Sequence, residues 1–159
     1  MAILGTAGSI DIAVIKAGYN DWFSDFPGEF AAVVDAARAR GARTIVWLTY
    51  NEDVSGDTPR RAYQENNVDL RRLVASPAYD DVILADWLGY STGQRGWFWD
   101  GIHAGRTGSY ATTDYLSRWI AAIEHRLCPR PWVVGGPVPA RCPPPDAVGA
   151  VPDPVGIWS

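Results

Sequence analysis

Ile10-Asp-Ile-Ala-Val-Ile-Lys-Ala-Gly18 gathers Ile10, Ile12, Val14 and Ile15 within residues 10–17 and stops at a glycine. Such a nearly continuous apolar run suits a strand buried on both faces of a parallel sheet. Working outward, Phe26, Phe30, Val33, Val34 and Ala37 recur at helical spacing, and Gly41 follows as a C-terminal cap. A second strand is expected over 43–50, centred on Thr44, Ile45, Val46, Trp47 and Leu48. A second helix follows over about 60–75 with Tyr63, Leu70 and Val74 on one face. Asn67 falls on that same face and needs a hydrogen-bond partner. A third strand is expected over 81–86, leading through a Gly- and Trp-rich loop to a last helix marked by Leu116, Trp119, Ile120, Ile123 and Leu127. Strand alternating with helix calls for an α/β fold, a three-layer α/β/α arrangement around a parallel sheet with right-handed crossovers. Ligands of such sheets bind beyond the carboxyl ends of the strands, where residues 18–21, 50–53 and 86–103 would gather.

The chain has 159 residues, 47% of them apolar and 20% charged, enough for one domain with a real core. That domain is expected over 1–127, followed by a tail over 128–159 in which prolines recur at 129, 131, 137, 139, 143, 144, 145, 152 and 154. A net charge of −4 with scattered basic residues argues against a nucleic-acid surface. No apolar run approaches the ~20 residues that cross a bilayer, and residues 1–9 do not read as an export signal. Cys128 and Cys142 lie in or beside the tail. They form either a disulfide, stiffening it by about 3 kcal/mol in chain-entropy terms, or two free thiols. A disulfide would imply an oxidising compartment, extracellular or at the cell envelope, with the export signal further upstream.

Asp100-Gly-Ile-His103, set between Trp97-Phe98-Trp99 and the last helix, carries the clearest chemistry. A carboxylate against one imidazole nitrogen fixes the tautomer and leaves the other nitrogen free to take a proton from a hydroxyl or water. The same spacing also suits a helix-capping Asp and a surface His. Gly18-Tyr-Asn20-Asp21 is the second group: the glycine permits a sharp turn, and the Asn amide can donate to a developing oxyanion. An ordinary capping turn fits those residues as well. Trp97 and Trp99, with Phe98 and Tyr90, either line a substrate pocket or pack beneath the loop. His125, near the end of the last helix, reads as structural, and Asp86, at a strand end, is either a ligand contact beside the site or, more commonly for such an acid, a cap.

Together, Gly18-x-Asn20-Asp21 and the later Asp100-x-x-His103 resemble two conserved blocks of the SGNH (GDSL-type) hydrolases, in the version found as secreted or acyltransferase-linked domains of actinobacteria. Ile45-Val-Trp-Leu-Thr-Tyr50, Tyr63-Gln-Glu-Asn-Asn67-Val-Asp-Leu70 and Ile83-Leu-Ala-Asp86-Trp87 add to the likeness, which spans about residues 10–127. The resemblance implies a flavodoxin-like fold and an ester hydrolase or acyl-transfer domain acting on acyl, often acetyl, esters of carbohydrates. It implies His103 as general base, Asp100 as its orienting acid, Asn20 as oxyanion donor, Gly18 as the shaper of that turn, and no metal or organic cofactor. It also implies a Gly-Asp-Ser block on an earlier strand, which this sequence lacks; Ser9 would fall at the amino-terminal end of the sheet. The expected domain is therefore N-terminally incomplete, impaired in serine-dependent turnover, and exposes a sheet edge that invites pairing with another chain. The rival expectation is a non-catalytic module that holds a cell-envelope polysaccharide on its aromatic loop.

Overall fold

The computed structural model describes residues 10–19 and 25–124. The chain is an α/β fold with a parallel sheet of three strands, β1 (Ile12–Ile15), β2 (Thr44–Leu48) and β3 (Val82–Ala85), ordered β1-β2-β3. Helices alternate with them: α1 (Phe26–Ala39) and α2 (Asp57–Val74) are the two crossovers, and α3 (Trp87–Ser91) and α4 (Arg106–Glu124) follow β3. Register pairs Ile12 with Thr44 and Ile45 with Val82, so all three strands point the same way and end at one rim.

Alternation along each strand divides the core in two. Ala13, Ile45, Trp47, Val82 and Leu84 face Phe26, Phe30 and Val34 of α1 and Tyr63, Leu70 and Val74 of α2. Val46, Leu48, Ile83 and Ala85 face Ala111, Tyr115 and Trp119 of α4 together with Trp87 and Trp97. Each helix turns its apolar stripe inward for a local reason. The Asp25 side chain caps α1 by accepting from Gly28 N at 3.3 Å, and Pro27 occupies its first turn, where a missing N–H costs nothing. Gly41, at φ +91°, stops α1 by turning left-handed, a conformation open to glycine.

The sequence-based strands and helices all appear, with shorter strands than expected. Three details differ. Of β1, only Ala13 is buried and Ile12, Val14 and Ile15 are half-buried, whereas β3, which among the described residues also pairs with β2 alone, is buried throughout. The buried stripe of α4 runs Ala111, Tyr115, Trp119, while Leu116 and Ile123 pack at its margin and Ile120 is half-buried. Asp86 starts α3, which sequence reading left inside the loop; its carboxylate accepts from Gly89 N at 3.2 Å, the capping role expected of it. At the amino-terminal rim, the Arg38 guanidinium grips Asp81 through Nε at 2.8 Å and Nη2 at 2.6 Å and donates to the Ala78 carbonyl at 2.8 Å, tying the last turn of α1 to the start of β3. No described helix is long and apolar enough to cross a membrane. Cys128, Cys142, His125, Leu127 and the proline-rich tail lie outside the described residues.

Candidate functional site

Parallel strands deliver their carboxyl ends together, and at this rim a helix side chain organises the loops. Asn67, fully buried on α2, accepts from the Tyr50 N–H at 2.8 Å and donates to the Tyr50 carbonyl at 2.9 Å and to Glu52 Oε1 at 2.8 Å. It acts as one more rung of sheet ladder just past the end of β2, and the Tyr50 backbone and Glu52 are the partners that its place on the buried face requires.

Two loops hang from the residues so fixed. The Tyr50 hydroxyl donates to the Ala17 carbonyl at 2.7 Å, and the Tyr63 hydroxyl donates to the Tyr19 carbonyl at 2.6 Å, so the turn after β1 is held from both sides. The Tyr19 ring meets those of Tyr50 and Tyr63 edge-on, with centroids 5.0 and 5.3 Å away. Burial pushes the Tyr19 phenol above its ordinary value; a backbone hydrogen bond from Asn51 opposes that shift and the neighbouring Tyr63 adds to it. Gly18 lies at φ +91°, and a Cβ there would fall on the Tyr50 hydroxyl, so the turn requires glycine twice over. Asn20 lies outside the described residues.

Asn51, 2% exposed, donates from Nδ2 to the Gly101 carbonyl at 2.7 Å and so fixes the second loop, the one that carries Asp100 and His103. That loop is a short hairpin: Phe98 bridges Ala104, Trp99 N donates to His103 O at 3.0 Å, and Gly105 N donates to Trp97 O at 2.8 Å. Its tip turns at Gly101, φ +87°, pressed so closely against the Asp53–Val54 backbone that no Cβ fits. Asp100 and His103 flank this turn, and the carboxylate is occupied on both oxygens. Oδ1 accepts from the backbone N–H groups of Ile102 at 2.9 Å and His103 at 2.8 Å, and Oδ2 meets His103 Nδ1 at 2.7 Å.

The His103 backbone N–H, then its imidazole, then the Ile102 N–H hold the Asp100 carboxyl well below the usual carboxylate range. Asp100 therefore stays ionised and faces Nδ1, which directs Nε2 away from the carboxylate on a side chain that is 72% exposed. At that exposure the pair contributes orientation more than Coulomb energy.

Between the hairpin and the loop after β2 lies a cleft of about 340 Å³, lined by Asn51, Asp53, Ser91, Arg95, Trp99 and Asp100 among others. Arg95 Nε reaches Asp53 Oδ2 at 3.1 Å, joining its two sides. The tryptophans expected to line a pocket separate here. Trp99 is 84% exposed at the cleft, whereas Trp97, 9% exposed, stacks on Trp87 at 6.1 Å and packs near Tyr90 at 5.7 Å in the α4-side core. The short 3-10 turn over Arg95–Trp97 accounts for the split, because Trp97 closes that turn and Trp99 lies beyond it in the extended hairpin arm.

The structure thus brings Gly18, Asp100, His103 and Trp99 to loops at one rim, hung from Tyr50 and Asn51. Sequence reading did not single out Tyr50 and Asn51. The available signal was the polar break Thr49-Tyr50-Asn51 after an apolar strand, where backbone groups leaving a sheet need side-chain partners. Set against known proteins, the chain matches no family model, no curated protein and no solved structure.

Proposed function

We propose that this chain is an SGNH-type ester hydrolase or acyl-transfer domain of flavodoxin-like architecture, acting on acyl esters, with His103 as general base and Asp100 as the acid that orients it. The observation that carries the reading is the 2.7 Å contact between His103 Nδ1 and an Asp100 carboxylate whose other oxygen is held by two backbone N–H groups. In that role Nε2 takes the proton of an attacking hydroxyl, the hydroxyl oxygen adds to the ester carbonyl, and the proton passes to the departing alcohol. Asn20 and the turn at Gly18 would receive the oxyanion. The nucleophilic serine of a Gly-Asp-Ser block comes from outside this sequence, and the outer edge of β1 is the place where a further strand would pair.

The test is turnover of 4-nitrophenyl acetate. Without the serine, the chain should show slow, imidazole-dependent hydrolysis that a serine reagent leaves unchanged. His103→Ala should lower it about tenfold or more, a small part of the 10²–10⁴-fold that general-base catalysis supplies in a complete site. Asp100→Asn should lower it as well, by releasing the ring. Hydrolysis independent of His103 would refute the assignment of the base, and rapid turnover abolished by a serine reagent would refute the external nucleophile.

Trp99, 84% exposed beside the cleft, favours one second reading, a non-catalytic module for cell-envelope polysaccharide. Saturable sugar binding that is lost in Trp99→Ala and kept in His103→Ala would select it.

A further inference from the structure

The cleft of about 340 Å³ between the loop after β2 and the Asp100–His103 hairpin falls within the ~300–1,000 Å³ of small-molecule sites. What it can hold depends on which of its polar groups are already engaged. The Asp100 carboxylate is engaged on both oxygens. Asn51 is engaged at both ends of its amide, donating to the Gly101 carbonyl at 2.7 Å and accepting from Asp53 N at 3.2 Å. Arg60 is tied to Asp57 at 3.3 Å and to the Val54 carbonyl at 3.0 Å. Arg95 differs. Its side chain is 85% exposed, and Nε, 3.1 Å from Asp53 Oδ2, is its one engaged nitrogen among the described residues. The bond to Asp53 holds the guanidinium by its Nε edge, so the Nη1–Nη2 edge is left as a planar fork of donors.

Trp99 lines the same cleft, and its ring is seated rather than loose. Its backbone N–H donates to the His103 carbonyl at 3.0 Å, and a Cβ at Gly105 would lie 2.8 Å from the indole Nε1, so the ring rests against the bare glycine on the opposite arm of the hairpin. Most of the indole remains open to solvent. A fixed aromatic surface beside a guanidinium fork suits a ring that is apolar on one face and carries an acidic group at its edge. We propose that the cleft binds a sugar ring bearing a carboxylate, of the hexuronate kind, and that Arg95 selects it. The carboxylate takes the Nη fork through two parallel N–H···O bonds, and the C–H face of the ring lies on Trp99. Asp53 Oδ1, which no described group engages, accepts from a ring hydroxyl. A neutral sugar meets the indole equally well but leaves the fork to water, which is the basis of the selectivity. This deepens the ester-hydrolase reading and rests on it for one point, that the ring is the alcohol part of the ester attacked beside His103.

Binding is measured by isothermal titration calorimetry of the full chain with methyl glucuronoside and methyl glucoside, probes that differ only in the carboxylate. Water and salt screen a bidentate pair at the exposure of Arg95, so the glucuronoside should bind about three- to tenfold tighter, and added sodium chloride should narrow the gap. Arg95→Gln should remove the preference while the glucoside binds as before, and Trp99→Ala should weaken both ligands. Equal affinity for the two glycosides, or a preference that survives Arg95→Gln, would overturn the proposal. Hydrolysis of 4-nitrophenyl acetate, which carries no sugar, is read separately. Absence of a His103-dependent rate alongside a glucuronoside preference sinks the hydrolase reading and keeps this site; equal binding alongside that rate sinks this proposal alone.

Discussion

Replacing Asn67 by alanine tests the organising element of the candidate site. The side chain is fully buried and makes three hydrogen bonds, two of them with the N–H and carbonyl of Tyr50, itself fully buried. Truncation to alanine strands both backbone groups away from water. A stranded buried donor or acceptor costs about 1–3 kcal/mol, so the pair should cost about 2–6 kcal/mol. Against a typical domain stability of about 5–15 kcal/mol, that is a large fraction of the total. The assay is urea unfolding followed by tryptophan fluorescence, where the midpoint should fall sharply with the slope unchanged. Hydrogen exchange adds a local readout, since the Tyr50 amide should lose protection beyond the global change. Val68, the next residue on α2 and 64% exposed, supplies the control: Val68→Ala should stay within about 0.5 kcal/mol of wild type. A loss below about 1 kcal/mol in Asn67→Ala, with the Tyr50 amide still protected, would refute the reasoning.

Two further outcomes follow from the same geometry. Gly-to-Ala changes inside helices usually stabilise by about 0.5–1 kcal/mol, but Gly108→Ala in α4 should destabilise by about 1–3 kcal/mol, because the new Cβ would strike the Trp97 carbonyl; a raised unfolding midpoint would show that this close approach is absent. Because Asp100 titrates lower in the folded chain than unfolded, its hydrogen bonds contribute stability that is fully present above the ordinary carboxylate value of about 3.9 and is lost as pH falls toward the folded value. The stability gap between wild type and Asp100→Asn should therefore narrow on acidification from pH 6 to about pH 3, and a gap that widens would contradict the bond pattern.

The alternation of elements was legible because each apolar run carried its own period: Ile45-Val-Trp-Leu48 is too continuous for a surface helix, and Phe26, Phe30, Val34 and Ala37 fit one helical face. Rotation was less legible. Apolar spacing in α4 pointed to Leu116, Trp119 and Ile123, whereas close contact of Gly108 with the Trp97 backbone helps set which side faces the sheet and brings Ala111 and Tyr115 inward. A five-residue helix such as α3 is too short to show any period, although Asp86 three residues before Gly89 was its cap. At the site, Asp100-x-x-His103 could be read because both partners lie in one turn. The dependence of that turn on Asn51, fifty residues away, could not, since no local spacing encodes a long-range amide-to-carbonyl bond. The fates of Trp97 and Trp99 could not be separated, because the three-residue turn over Arg95–Trp97 that sets Trp97 apart is too short to show a period in the sequence.

The clasp of Arg38 on Asp81 and Ala78 has an evolutionary corollary. It anchors helix to strand at the end of the sheet remote from the candidate site, so insertions and sequence drift at the opposite end can proceed without unseating the scaffold. Variation should accordingly be best tolerated by the fold at exposed cleft positions such as Ser55, Gln94 and Trp99, with position 38 kept as arginine.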